Sequence, residues 1–469
     1  DLRKRTELRG FLRHAVCSYK FADSGRTLMN EKERLEQTCL YALESSLRKG
    51  AGKVRVSALR DVSNGLTVLN DSLEKIQSAV ESSLTIQLFT DDRYGSCTTN
   101  GTDPARIDKL IDQALASVRL LAPDTSRSLV PASLRYSGPP SQMAHNGDVS
   151  TDTKKTLLFD CAESVLQKEP SLINVAVDYS DYRRHIHIMD SGGLNCSSEE
   201  TWYSLLAECA VKGANDTRPS DWEYTGGFLP DALGIESGRP SDCAVRALKR
   251  AMAKCNPVKI RSGKYKAIVE NRVASTLLGP VIQAASGSSL QQQNSFLLNR
   301  LGQTIASPVL TLIDDPHRKG YPGYRLFDSE GMATVRRTVI EKGKLNIYFI
   351  NTYYANKLQM QPTISAPSML TLPGGKGNAE SLAGFVKNGI FVTGFNGGNC
   401  NSATGDFSYG IEGFRIENGL ITNPVNEMVM TGNMLDLWEK LSATGNDALQ
   451  TSTWQIPSLL FDNIEFAGL

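Results

Sequence analysis

Apolar residues first recur at helical spacing between positions 31 and 48. Leu35, Cys39, Leu40, Leu43 and Leu47 fall on one side there, and Gly50 follows as a stop. The period then drops to two. Alternating stretches at about 53–60, 65–70, 74–80 and 83–90 read as strands, with Asn64-Gly65 and Asn70-Asp71 as turns between them. Asp103 followed by Pro104 opens a second helix to about Leu121, because aspartate caps free amides and proline fits the first helical position. Residues 123–152, rich in Pro, Ser, Gly and Asp, read as a surface connection. A helix at 153–168, a strand at 174–189, a loop from 213 to 240 and a helix at 242–253 follow. From about Pro257 the pattern is strand-rich, with Lys342-Gly343 turning a hairpin between 333–341 and 344–350. Short turns between alternating strands suit antiparallel pairing, so the expected class is α+β: an N-terminal antiparallel sheet with packed helices, then a strand-rich C-terminal domain. The expected parts are 1–28 as an extension, 29–122 as an N-terminal α+β domain, 123–256 completing it, and 257–469 as the C-terminal domain.

Composition narrows the function. Fifty-one Lys and Arg against fifty Asp and Glu leave almost no net charge, and no basic stripe stands out beyond the extreme N-terminus, so nucleic acid is not an expected partner. No apolar run approaches the ~18 residues that span a bilayer, and the charged first residues lead into no long apolar core of a secretory signal. A cytoplasmic location without membrane attachment is the expectation. Nine cysteines with no Cys-x-x-Cys pair fit scattered reduced thiols.

The densest signal is the stretch from Gly394 to Gly419. Gly394, Gly397 and Gly398 form a loop poor in side chains, and Asn418-Gly419 is a two-residue hairpin signal. Together with the terminal Pro457-Ser-Leu-Leu-Phe-Asp-Asn-Ile-Glu-Phe-Ala-Gly468 it resembles the C-terminal domain of the TldD/PmbA family. The resemblance runs from about residue 30 to 468. It implies a two-subunit, zinc-dependent peptidase that processes or degrades peptides, built from a TldD-type and a TldE-type (PmbA) chain. An older description of the family, modulator of DNA gyrase, finds no electrostatic support in this composition.

In the TldD-type chain a helix carries His-Glu-x-x-x-His and a cysteine near the C-terminus completes the metal site. The segment matching that helix is Leu277-Leu-Gly-Pro-Val-Ile-Gln-Ala284, which puts Gly279 and Ala284 at the histidine positions and Pro280 at the glutamate. None of the three offers a donor atom. Residues 448–456 contain no cysteine. The resemblance therefore implies a metal-free, TldE-like partner, with zinc in the other subunit, no cofactor here, and an extended peptide enclosed between the two chains. The partner is a TldD-type chain in a heterodimer or a second copy in a homodimer. Gly394, Asn396, Gly397, Gly398, Asn399 and Asn401 are the candidate residues facing peptide or partner; a tight barrel corner is the structural alternative.

Other constellations carry less. His185 and His187 share one side of a strand, but a metal needs a third ligand, so they read as surface histidines over an aliphatic face. Asp314-Asp315-Pro-His317 reads as a strand end and turn, and Leu372-Pro-Gly-Gly-Lys-Gly377 as a connector. Cys400 as a nucleophile lacks an evident base, and no Gly-x-Ser-x-Gly elbow occurs. The rival to the subunit reading is a stand-alone homodimeric peptide-binding or scaffold protein with no proteolytic role.

Overall fold

The computed structural model describes residues 31–238 and 241–468; the expected extension at 1–28 lies outside them. Helix α1 (Glu31–Arg48) buries Leu35, Cys39 and Ala42, and Gly50 at φ +97° ends it. Strands β1 (Lys53–Leu69) and β2 (Ser72–Thr90) pair along their whole length around a turn at Asn70, φ +56°. The expected turn at Asn64-Gly65 is absent. Gly65 stays opposite Gln77 in the ladder, and Asn64 donates its side-chain amide to Asp181 at 2.8 Å. Long-range pairing with neighbours on both sides overrides the local turn preference there. Asp91 and Asp92, both at positive φ, turn the chain into β3 (Arg93–Thr99). Helix α2 (Pro104–Val118) starts as read: Asp103 accepts from the Arg106 amide.

Strand β4 (Ser141–Met143) and helix α3 (Thr151–Glu163) lead to β5 (Leu172–Asp190) and β6 (Asn195–Val211). The segment expected as a loop at 213–240 contains β7 (Ser220–Gly227), and helix α4 (Cys243–Ala253) follows. The sheet runs β3-β2-β1-β5-β6-β4, with β7 also on β6. α1 and α2 cover Val54, Val56, Leu84, Ile86 and Leu88; α3 and α4 cover Val175, Val177, Leu205 and Ala207.

The C-terminal half runs β8 (Gly263–Val269), α5 (Ala274–Ala284), α6 (Gly287–Gln291), β9 (Leu312–Asp314), β10 (Arg337–Glu341), β11 (Lys344–Leu345), α7 (Thr352–Leu358), β12 (Leu370–Thr371) and α8 (Ala379–Ala383). It continues through β13 (Asn388–Cys400), β14 (Asp406–Glu417), β15 (Leu420–Asn433), α9 (Met434–Glu439), β16 (Leu441–Thr444), β17 (Trp454–Gln455) and β18 (Leu459–Ala467). β15, β14, β13, β8 and β18 follow one another, and β18 pairs back onto β15, so these five strands close into a barrel; β16 adds to β18. β13 and β8 run parallel, the other barrel pairs antiparallel. Leu277, Leu278 and Val281 of α5 share a core with Ile390, Val392, Met430, Phe461 and Phe466. A small sheet, β11-β10-β9-β12-β17, lies outside it. The Lys342-Gly343 and Asn418-Gly419 turns both form at positive φ, as read. Both helices and sheets are present throughout, so the α+β class holds. No helix among the described residues is long and apolar enough to cross a membrane.

Candidate functional site

Two features meet where the open sheet faces the barrel domain. The first is a cluster of ion pairs. β7 alternates Asp221, Trp222, Glu223 and Tyr224, and the two carboxylates meet cations from α4 and from the end of β8. Arg250 holds Glu270 with two hydrogen bonds of 2.8 and 2.7 Å and approaches Asp221 at 3.5 Å. Lys254 bridges Asp221 (3.1 Å) and Glu412 of β14 (2.8 Å). Arg272 reaches Asp221 at 3.1 Å, donates to the Trp222 carbonyl at 2.5 Å and stacks over the Trp222 ring at 4.3 Å. Burial alone would raise the Asp221 carboxyl; Lys254, Arg272 and Arg250 overcome this and hold it below the ordinary carboxylate range. Burial would likewise depress Arg250, but Glu270, Asp221 and Glu223 keep its guanidinium more basic than usual.

The second feature is a cleft of about 1080 Å³. One wall comes from the sheet: Tyr182, Trp202, Trp222, Tyr224 and Phe228. The other comes from residues 322–329 and 449–453. Arg272, Trp222 and Glu223 belong to both cluster and cleft. The charges along the walls are largely answered within the protein. Arg184 pairs with Asp61 (2.6 Å), and Arg325 donates to Ser368 Oγ (2.7 Å) and the Ala366 carbonyl (2.6 Å). Asp328 accepts from the Glu330 and Met332 amides. Burial raises the carboxyls of Glu200 and Asp328. What remains is an aromatic trough with little net charge, able to take a flat or extended ligand through stacking and backbone hydrogen bonds.

The residues singled out in the sequence lie apart from this cleft. Gly394 to Cys400, expected as a loop, is the second half of β13. It pairs with β14 across two bulges, between Val392 and Gly394 and between Phe395 and Gly398. Asn396, Gly397, Gly398 and Asn399 are exposed, as is Asn401 just beyond the strand, and none of the six candidates lines the cleft. Gly397 (φ +137°) has open space where a Cβ would stand; a Cβ on Gly398 (φ +105°) would meet the Ser408 carbonyl at 1.9 Å.

A zinc ion is the group the family resemblance implies, and α5 is where it would be held. A Cβ on Gly279 would meet nothing within 4 Å, Pro280 sits inside the helix, and Ala284 is fully buried. A hydrogen, a ring without an N–H and a methyl group do not fit a metal. Among the described residues no three His, Cys, Asp or Glu side chains converge to hold one. His187 is buried rather than on the surface, because α1 packs over it: its Nε2 is 2.8 Å from Asn195 Oδ1, and Cys39 Sγ donates to its carbonyl. His185 Nε2 lies 2.7 Å from Glu199. Asp314 ends β9 and caps the Ser368 and Met369 amides, while His317 meets Thr334 at 3.1 Å. Burial pushes the Cys400 thiol up, away from a reactive thiolate. Cys39, Cys161, Cys196, Cys209 and Cys243 are free and buried.

The ion cluster and the cleft were not found from sequence. The period-two alternation of acidic and aromatic residues at 221–224 was the available signal for β7, inside a segment dominated by loop-forming neighbours.

The comparisons agree along most of the described chain. Residues 54–118 match domain 1 of the PmbA/TldA metallopeptidases, 144–254 the central domain and 262–468 the C-terminal domain. A metalloprotease PmbA of Escherichia coli is 28% identical over 93% of this chain and 97% of its own length. A PmbA homolog of Haemophilus influenzae is 27% identical over 96% and 100%. A crystal structure from Bacteroides thetaiotaomicron, described as a modulator of DNA gyrase, superposes with TM-score 0.88 at 39% identity, covering 92% of this chain and 99% of that one. TldE of Thermococcus kodakarensis shares the fold, with TM-score 0.79 at 20% identity over 93% of this chain and all of the other. Three successive domain matches, with a structure 39% identical over 99% of its length, mean that the chain belongs to the PmbA/TldD family.

Proposed function

We propose that this chain is the metal-free, TldE-like subunit of a two-subunit zinc-dependent peptidase, with the zinc chemistry supplied by a TldD-type partner. The observation that carries this reading is α5, where Gly279, Pro280 and Ala284 stand in place of ligands and base. The metalloprotease names of the relatives and the fold shared with a protein named TldE support it. This chain's part is to enclose an extended peptide. The exposed backbone at 396–399 offers hydrogen bonds to a passing chain without side-chain exclusion, and the aromatic trough offers stacking.

The test is co-purification with a zinc-bearing TldD-type chain, followed by peptide-degradation assays of each chain alone and of both together. Degradation that requires both chains, with no stoichiometric zinc in this one by elemental analysis, supports the reading. About one tightly held zinc per copy, or hydrolysis by this chain alone, overturns it. Peptide binding without any effect on the partner's activity favours the stand-alone binding protein instead.

A further inference from the structure

Three arginines line the cleft, and one of them has no charge to meet. Arg184 is held by Asp61 at 2.6 Å and Arg272 by Asp221 at 3.1 Å. Arg325, on the wall opposite the aromatic residues, donates through Nε to Ser368 Oγ and through Nη2 to the Ala366 carbonyl, both neutral acceptors. No carboxylate among the described residues stands within ion-pair distance of it. The acids whose charge reaches it, Asp328 and Asp314, each commit an oxygen to backbone amides: Asp328 to Glu330 and Met332, Asp314 to Ser368 and Met369. Burial makes the Arg325 guanidinium less basic than usual, and these two acids offset that only in part.

The guanidinium is fixed before any ligand arrives. The Arg325 amide donates to the Pro316 carbonyl at 3.0 Å, and the Arg325 carbonyl accepts from the Thr334 hydroxyl at 2.6 Å. Nε and Nη2 are clamped as above. Nη1 makes no hydrogen bond among the described residues, and it is not sealed from solvent. Nη2 carries a second N–H, so Nη1 and Nη2 keep one donor each for the two oxygens of a carboxylate, the geometry a guanidinium fork suits best. The cleft's own carboxylates are engaged elsewhere. Glu199 meets Arg183 at 3.0 Å and His185 at 2.7 Å, Glu200 accepts from the Tyr182 hydroxyl at 3.2 Å, and Glu223 lies 3.8 Å from Arg250. Across the cleft, Trp202 braces the apolar wall: its ring meets Phe228 edge to face at 5.0 Å, and its Nε1 donates to the Tyr224 hydroxyl at 2.9 Å.

We propose that Arg325 is a carboxylate anchor, which holds the C-terminal carboxylate or an acidic side chain of a peptide whose apolar residues lie on Trp202, Tyr224 and Phe228. The inference rests on the peptide-enclosing role proposed above and adds what the peptide must carry. Selection follows from desolvation. A neutral group in the same place covers the cation without a counter-charge, whereas a carboxylate supplies one. The two walls thus read different features, charge on one and flat apolar surface on the other.

The experiment is isothermal titration calorimetry on the purified full chain, without a partner, using three peptides. These are N-acetyl-Ala-Phe-Ala-Phe with a free C-terminus, the same peptide as its C-terminal amide, and that amide with Glu in place of the second Ala. The free acid should bind about tenfold more tightly than the plain amide. The Glu-containing amide separates the two sources. Binding like the free acid means that any carboxylate serves; binding like the plain amide means that the anchor holds the C-terminus. Arg325→Gln should erase the preference and leave affinity for the plain amide unchanged, which also shows that its cleft is intact. Arg325→Lys keeps the charge without the fork and should retain only part of the preference, a test that stands even where the Gln variant does not fold. Equal binding of free acid and both amides by the wild type overturns the proposal and leaves the peptide-enclosing role standing. A preference that survives Arg325→Gln overturns it as well. Binding of none of the three overturns the anchor too, while the subunit reading is decided separately by the two-chain degradation assay.

Discussion

The N-terminal sheet and the C-terminal barrel solve the same problem in opposite ways. Both are built from long, mostly antiparallel strands. In the barrel, β18 returns to β15, and close strand crossings are relieved by bulges and by glycines such as Gly398. In the sheet, β2 runs past β3 and, among the described residues, leaves its outer half open. The closed structure tolerates little added bulk and offers few backbone groups to others. The open one tolerates change at its rim and has groups to share.

The largest test of that contrast lies at the joint between them. Asp221→Ala leaves Arg250, Lys254 and Arg272 short of a shared buried carboxylate, and should cost about 3–5 kcal/mol by denaturant unfolding. The same joint predicts a pH signature. Asp221 is held below its ordinary range, so its contribution is present above the usual carboxylate pKa and is lost as pH falls through the lowered folded value. Asp314 and Asp328, raised by burial, contribute with the opposite sign. Unfolding midpoints from pH 6 to pH 3 should therefore fall less steeply for Asp221→Asn than for the wild type.

Within the barrel, Gly398→Val should cost about 2–4 kcal/mol, since its Cβ would meet the Ser408 carbonyl and its φ is unfavourable. One residue earlier, Gly397→Val meets open space and should cost only the backbone strain, about 1–2 kcal/mol. That difference makes Gly397→Val the cleaner probe of peptide handling. Under the proposed two-subunit reading, a folded variant whose complex with a TldD-type chain processes peptide at the wild-type rate would remove residues 396–399 from that role. On the open edge, Ser78→Val should change monomer stability by no more than about 0.5 kcal/mol in thermal melts. An effect as large as that of Gly398→Val would mean the two regions are not so different.

Local chemistry was legible where it decides the outcome locally. The cap at Asp103, the stop at Gly50 and the turns at Asn70, Lys342-Gly343 and Asn418-Gly419 all form as their residue types dictate. Asn64-Gly65 misled because partners on both flanks, Gln77 and Ser180, hold Gly65 in the ladder. The barrel seam is a pairing of Val429 with Ala467, and the ion cluster gathers Asp221, Arg250, Glu270, Arg272 and Glu412; neither has a local signature. That Gly279, Pro280 and Ala284 carry no donor atoms was legible, because it turns on atoms those residue types do not possess. Their surroundings, a buried Ala284 and open space at Gly279, were not.

The parallel pairing of β8 with β13 also has a bearing on how the molecule is made. Lys266 waits for Gly389, and Tyr265 waits for Ile464, so the barrel cannot close until the chain through residue 464 has been made. The strands of the N-terminal sheet, β1 to β7, are all synthesised before β8. A growing chain thus carries a paired sheet with an open edge for as long as its second half remains unclosed.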